Sequence, residues 1–340
     1  MTILFATNRV FNEGPTPRLP DGTLKIPRQV SFNLNNNQAE QSIYFCERTS
    51  QDNYREIGHR EFFQQLDEVE ATEILFYIHG YSSLPEQAVF PRTKELQQLF
   101  GLSDSKKVLV VPLIWPCDND LGFIKDYFDD QKAADASDMS FMRFFEMFFR
   151  WLQQRLTPSN PPFNKKLHIL TQSMGARVLA GATSRAVDYY QLNGFPQIFN
   201  NIFLAAPDIV NEALEPNKRG QWIPVAANNV VVYHASDDWA LRTSIAANVF
   251  NIIASRRLGQ RGPEDMNKVP RNVFALDCSG FNSTYDTVIG HRYFGSLPGA
   301  TGQKPGLLFE HMQLCIEQEK VIIPSGQRRA ILNRELLDNN

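Results

Sequence analysis

The sequence predicts an α/β protein with a mostly parallel central sheet and helices on both faces. Three observations carry this. The run Ile74-Leu-Phe-Tyr-Ile78 is apolar throughout, which suits a strand covered on both sides, and Phe199 to Ala206 and Val230-Val-Val-Tyr-His234 read as further strands. Segments of helical periodicity separate these runs. The third is the stretch Leu167 to Gly181, which reads as a buried strand, a tight turn over Thr171-Gln-Ser-Met-Gly175 and a small-residue helix. Such a strand–turn–helix lifts a serine hydroxyl, here Ser173, out of a parallel sheet. The bland alternative is a serine that merely caps the helix.

In chain order, Ile3-Leu-Phe-Ala6 predicts a first strand, followed by a Pro/Gly-rich loop to about Arg28. Ser42 to Cys46 is a second short strand, and Glu61 to Leu66 a helical turn on the surface. After Ile74–Ile78 comes a helix over Gln87 to Leu99. Lys107 to Trp115 is a further strand, weakened in its middle by Pro112. Cys117 to Phe128 reads as a loop, and a long helical pattern runs on to about Arg155. Its Phe141, Phe144, Phe145, Phe148 and Leu152 fall at helical steps, wide enough for a core stripe rather than a lid. Val273 to Leu276 is a last strand, and a helix near Leu307 to Glu319 precedes a polar tail over 320–340.

The chain of 340 residues carries no internal repeat and no linker, so a single domain over 1–340 is expected, with 117–157 as the place for a partial cap. A net charge of −3 offers no electrostatic case for nucleic acid or an anionic membrane. Cys46, Cys117, Cys278 and Cys315 show no metal or disulfide spacing, and Asp118-Asn-Asp120 reads as an acidic turn, so neither metal nor cofactor is expected. No run is long enough to span a bilayer and the N-terminus lacks a secretory pattern, which points to the cytoplasm. The sequence does not specify an oligomeric state.

Ligands of such sheets sit beyond the C-terminal strand ends. His79-Gly80, Trp115, Ser173, Asp238 and His291 fall there. Serine precedes acid and acid precedes histidine, the chain order of α/β-hydrolases. A serine hydroxyl attacks only if an imidazole takes its proton, and the imidazole needs a carboxylate behind it. Ser173, His291 and Asp238 fill these roles, with Asp237 and Asp208 as alternative acids. Oxyanion donors would be the amide of Met174 and that of Tyr81, or else Ser82. His79, Gly80, Ser82 and Trp115 are candidates for the pocket wall. His79 precedes the serine, which fits a brace for the oxyanion loop better than a base.

Tyr77-Ile-His-Gly-Tyr-Ser82, Ile114-Trp-Pro116, Gln172-Ser-Met-Gly175, Ala205-Ala-Pro-Asp208, Ser236-Asp-Asp-Trp-Ala-Leu241 and Gly290-His-Arg-Tyr-Phe294 together resemble the successive blocks of a group of bacterial α/β-hydrolases of unknown function. Phe5-Ala-Thr-Asn-Arg9 and Tyr127-Phe-Asp-Asp130 also match. The resemblance implies the α/β-hydrolase fold, with Ser173, Asp238 and His291 at the triad positions. The group usually carries Gly-His-Ser-Met-Gly at the elbow, where this chain has Thr171 and Gln172. The expected function is hydrolysis of a small ester or acyl substrate through an acyl-enzyme. The alternatives are a lipase, thioesterase or acyltransferase variant, and a catalytically silent binding protein on the same scaffold.

Overall fold

The computed structural model describes residues 2–102, 107–118, 123–156, 162–190, 194–241, 256–285, 289–300 and 303–339. Its centre is one sheet of eleven strands, in the order β11-β10-β9-β8-β7-β5-β6-β1-β3-β4-β2. In chain order these are β1 (Ile3–Arg9), β2 (Arg28–Val30), β3 (Ala39–Ser50), β4 (Asn53–Glu56), β5 (Glu73–Ile78), β6 (Val108–Ile114), β7 (Lys166–Gln172), β8 (Phe199–Ala205), β9 (Ala227–His234), β10 (Val273–Asp277) and β11 (Arg329–Ile331). Every pairing from β11 across to β1 is parallel, while β1-β3-β4-β2 forms an antiparallel flank.

Strands β5 to β9 are apolar because helices cover both faces of the sheet. One face packs against α1 (Gly58–Glu68), α3 (Phe123–Ala136), α4 (Asp138–Gln154) and α5 (Gly175–Tyr190). The other packs against α2 (Phe90–Phe100) and the helix Leu307–Glu317. The phenylalanine stripe of α4 is core: Phe144 meets Phe76 edge-on at 5.4 Å, and Phe145 meets Phe199 at 6.1 Å. In an interior this dense, such ring contacts leave no room for the helix to act as a lid.

Several expectations need correction. Helix α1 is not a surface turn, because Phe62, Phe63 and Leu66 are fully buried. The second strand runs the full length of β3, which pairs with both β1 and β4. The long helix up to Arg155 is two helices that break at Ser137, whose hydroxyl donates to Ala133 O at 2.7 Å. That bond competes with the helical ladder and turns the chain. The 320–340 segment is not a polar tail. It supplies β11, which extends the sheet beyond β10, and then buries Leu336 and Leu337. In the sequence, Ala235 to Leu241 also reads as leading into a helix, and the residues after Leu241 that would form it, 242–255, lie outside the described ones.

Burial leaves a titration signature. It holds His79 down to about 3 and His311 to about 4, and it also lowers His168 and His234. In the unfolded chain these rings titrate near ~6.5. Below that pH the unfolded state binds more protons, so stability is full above about 6.5 and falls as pH drops toward 4. Asp130, lifted to about 7 by burial, acts in the opposite sense, but it is one group against four. The thermal midpoint is therefore expected to change little above pH ~6.5 and to fall between about 6.5 and 5 in a calorimetric or circular-dichroism series. A flat profile would contradict this assignment of neutral buried rings.

Candidate active site

The strand order reverses at β5: β6 lies on one side and β7 on the other. The loops that leave β5 and β7 therefore diverge and open a crevice at their C-terminal ends. The β5–β7 register pairs Ile78 with Thr171, so the loop beginning at His79 lies beside the turn carrying Ser173.

Ser173 sits on that turn at φ 51°, a left-handed conformation that costs a residue with a Cβ about 1–2 kcal/mol. The surroundings enforce it. Ser173 N–H donates to Ala205 O at 3.0 Å, and Ser173 O accepts from Asp208 N–H at 3.0 Å. Gly175 is obligatory here, since a Cβ on it would lie 2.4 Å from Ile78 O and 2.7 Å from His79 O. A Cβ on Gly80 would come within 3.1 Å of Ser173 Cβ, so the loop after β5 abuts the serine. Thr171, in the place usual for glycine, is fully buried in β7. Gln172 accepts a hydrogen bond from the Tyr77 hydroxyl at 3.0 Å.

His291 and Asp238 come together. His291 Nδ1 lies 2.6 Å from Asp238 Oδ2, so the ring nitrogen donates and the carboxylate accepts. This fixes the tautomer and leaves Nε2 as the unprotonated ring nitrogen, chemically able to accept a proton. Asp238 is fully buried, and its Oδ1 accepts from Leu241 N–H at 3.0 Å. The neighbouring backbone bond from Trp239 N–H to Ile289 O, 3.0 Å, ties the acid loop to the histidine loop. The other candidate acids are engaged differently. Asp208 is buried against Arg257, 3.2 Å away, and accepts from the Tyr127 hydroxyl at 2.8 Å. Asp237 Oδ1 is buried and has no hydrogen-bond partner among the described residues.

Ser173 and His291 both line a cavity of about 210 Å³, together with Tyr81, Ser82, Tyr127 and Gln172. Of the predicted wall residues, only Ser82 lines it. His79, Gly80 and Trp115 lie behind the wall as its support. The indole of Trp115 stacks on His79 at 5.1 Å, and its Nε1 donates to His79 O at 2.8 Å. His79 accepts the Trp115 N–H at Nε2 and, through Nδ1–H, donates to Gly80 O at 2.9 Å. Both ring nitrogens are thus engaged. Burial keeps the ring neutral, and with both nitrogens occupied it has no free position for proton transfer. Tyr127, Gln172 and Arg292 in the wall carried no signal of their own beyond membership of the motif blocks.

A larger apolar cavity of about 880 Å³ lies at the opposite ends of β7 and β8, near Leu167 and Ile198. Its described lining holds no serine, cysteine or histidine, so its size does not make it the site of nucleophilic chemistry. Among the described residues no group of His, Cys, Asp or Glu is arranged to hold a metal ion, and no helix is long and apolar enough to cross a membrane.

Residues 56–304 match the family described as alpha/beta hydrolase of unknown function (DUF900). The chain belongs to this family of α/β-hydrolases. The matched segment holds Ser173, Asp238 and His291 together with β5 to β10. A solved structure titled "Crystal structure of esterase PE8" is similar over 55% of this chain and 81% of its own, at 16% identity and a TM-score of 0.28. No curated protein matches this member of the family.

Proposed function

We propose that this α/β-hydrolase is a cofactor-free serine hydrolase that cleaves small carboxylic esters. One observation carries the reading: a strained Ser173 and an imidazole backed by a buried carboxylate open onto the same small cavity. Ser173 Oγ attacks the acyl carbon as His291 Nε2 takes its proton, and the carbonyl electron pair moves to oxygen. The amide of Met174, at the start of α5, stabilises this oxyanion. The second donor is assigned to Tyr81, because the Ser82 N–H is committed to Asp130 Oδ2 at 2.9 Å. Collapse expels the alcohol, which His291 protonates. A water then attacks the acyl-enzyme with His291 as base, releasing the acid and restoring Ser173.

The cavity is smaller than the ~300–1,000 Å³ of sites for drug-sized ligands, which favours short acyl groups. Turnover of p-nitrophenyl acetate and butyrate is expected to exceed that of the decanoate. The decisive experiment is labelling with a fluorophosphonate probe. Wild type should label and Ser173→Ala should not. Unlabelled folded wild type, or a labelled Ser173→Ala, would instead favour a silent binding protein, a reading suggested by Thr171 and Gln172 at the elbow.

A further inference from the structure

We propose that Asp130 is a positioning residue for the oxyanion hole, tying the loop that carries Tyr81 to the body of the protein. This inference rests on the serine-hydrolase reading above. Asp130 is fully buried on α3, away from the triad. Its Oδ2 accepts the Ser82 N–H at 2.9 Å. Its Oδ1 accepts the Asp118 N–H and the Asn37 side-chain amide, both at 3.1 Å. One carboxylate thus joins the loop after β5, the loop after β6 and the segment leading into β3.

Two further observations give this hub a purpose. Ser82 stands at φ 53°, a left-handed conformation that a residue with a Cβ keeps only when its surroundings impose it. The amide that Asp130 holds belongs to this residue, one position after the oxyanion donor Tyr81. A second tie lies next to the first, where the Ser83 N–H donates to Cys117 Sγ at 3.2 Å. Beneath both, buried Arg9 donates to Cys117 O at 2.7 Å. Asp130 also lies one helical turn after Tyr127, which reaches the opposite wall of the cavity through Asp208, whose N–H in turn holds Ser173 O. Residues three apart share a helix face. Helix α3 therefore braces the oxyanion loop with one side chain and the serine turn with another.

The test uses the full chain with p-nitrophenyl acetate as substrate and phenylboronic acid, which forms a tetrahedral anion on an active serine. In Asp130→Asn, kcat is expected to fall about 10- to 100-fold while KM stays within about two-fold, because the oxyanion exists only beyond the ground state. The inhibition constant for phenylboronic acid should rise by a similar factor. Asn37→Ala, which removes one donor from an outer loop, keeps the test open if Asp130→Asn does not fold, and should lower kcat several-fold in the same pattern. If kcat is unchanged in both variants, or if it is lost without weaker boronate inhibition, the proposal is overturned. Active wild type with inactive Ser173→Ala alongside such a result would sink only the role of Asp130. A Ser173→Ala that remained active would sink the hydrolase reading, and this inference with it.

Discussion

Asp238→Asn is expected to lower kcat/KM by about 10⁴-fold and leave the fold intact. The geometry explains both halves. Asp238 Oδ1 accepts from Leu241 N–H at 3.0 Å, and the amide oxygen of asparagine can keep that bond. The amide nitrogen then occupies the place of Oδ2, 2.6 Å from His291 Nδ1. It can only donate, so Nδ1 must become the acceptor and the ring proton moves to Nε2. A histidine in that tautomer cannot take the proton of Ser173, and the buried negative charge that would stabilise the imidazolium is gone. Steady-state kinetics on a short p-nitrophenyl ester, with the thermal midpoint as control, check this. A variant within ten-fold of wild type would mean that another group supports the base.

Gly175→Ala is expected to cost roughly 3 kcal/mol or more, a large share of the ~5–15 kcal/mol that holds a typical domain folded. The added methyl group would lie 2.4 Å from Ile78 O and 2.7 Å from His79 O. Both atoms are backbone in the central strand and its exit loop, so neither can swing aside as a side-chain tip would. Helix α5 and β5 would have to part, and the His79-Gly80-Tyr81 loop would move with them. Chemical denaturation should show a large drop in midpoint, and whatever folds should have lost activity. A thermal midpoint close to wild type would show that the crowding at this bend is relieved elsewhere.

The serine turn was legible because its chemistry is local: strand, bend and helix lie within fifteen consecutive residues. The order of Ser173, Asp238 and His291 was legible for a different reason, since a parallel sheet brings all its C-terminal strand ends to one edge. What the sequence hid is non-local or short. Asp130 reaches Ser82 across 48 positions, and no spacing rule links an acid on a helix to an amide after another strand. Strand β11 has three residues, too few for an alternation to register. In α1 the apolar Phe62, Phe63 and Leu66 are interleaved with glutamines, so a buried face read as a surface turn. Trp115 and His79 were correctly placed at strand ends, but their mutual stacking, which draws both away from the cavity, depends on the direct pairing of β5 with β6.

The segment shared with the family, 56–304, omits β1 to β3 and all but the last residue of β4 on one side, and β11 on the other. A recombinant protein trimmed to those limits would strip β6 and β10 of their outer neighbours and leave two raw rows of backbone donors and acceptors. Such rows recruit strands from other molecules, so trimming for crystallisation would trade a folded enzyme for a self-associating one.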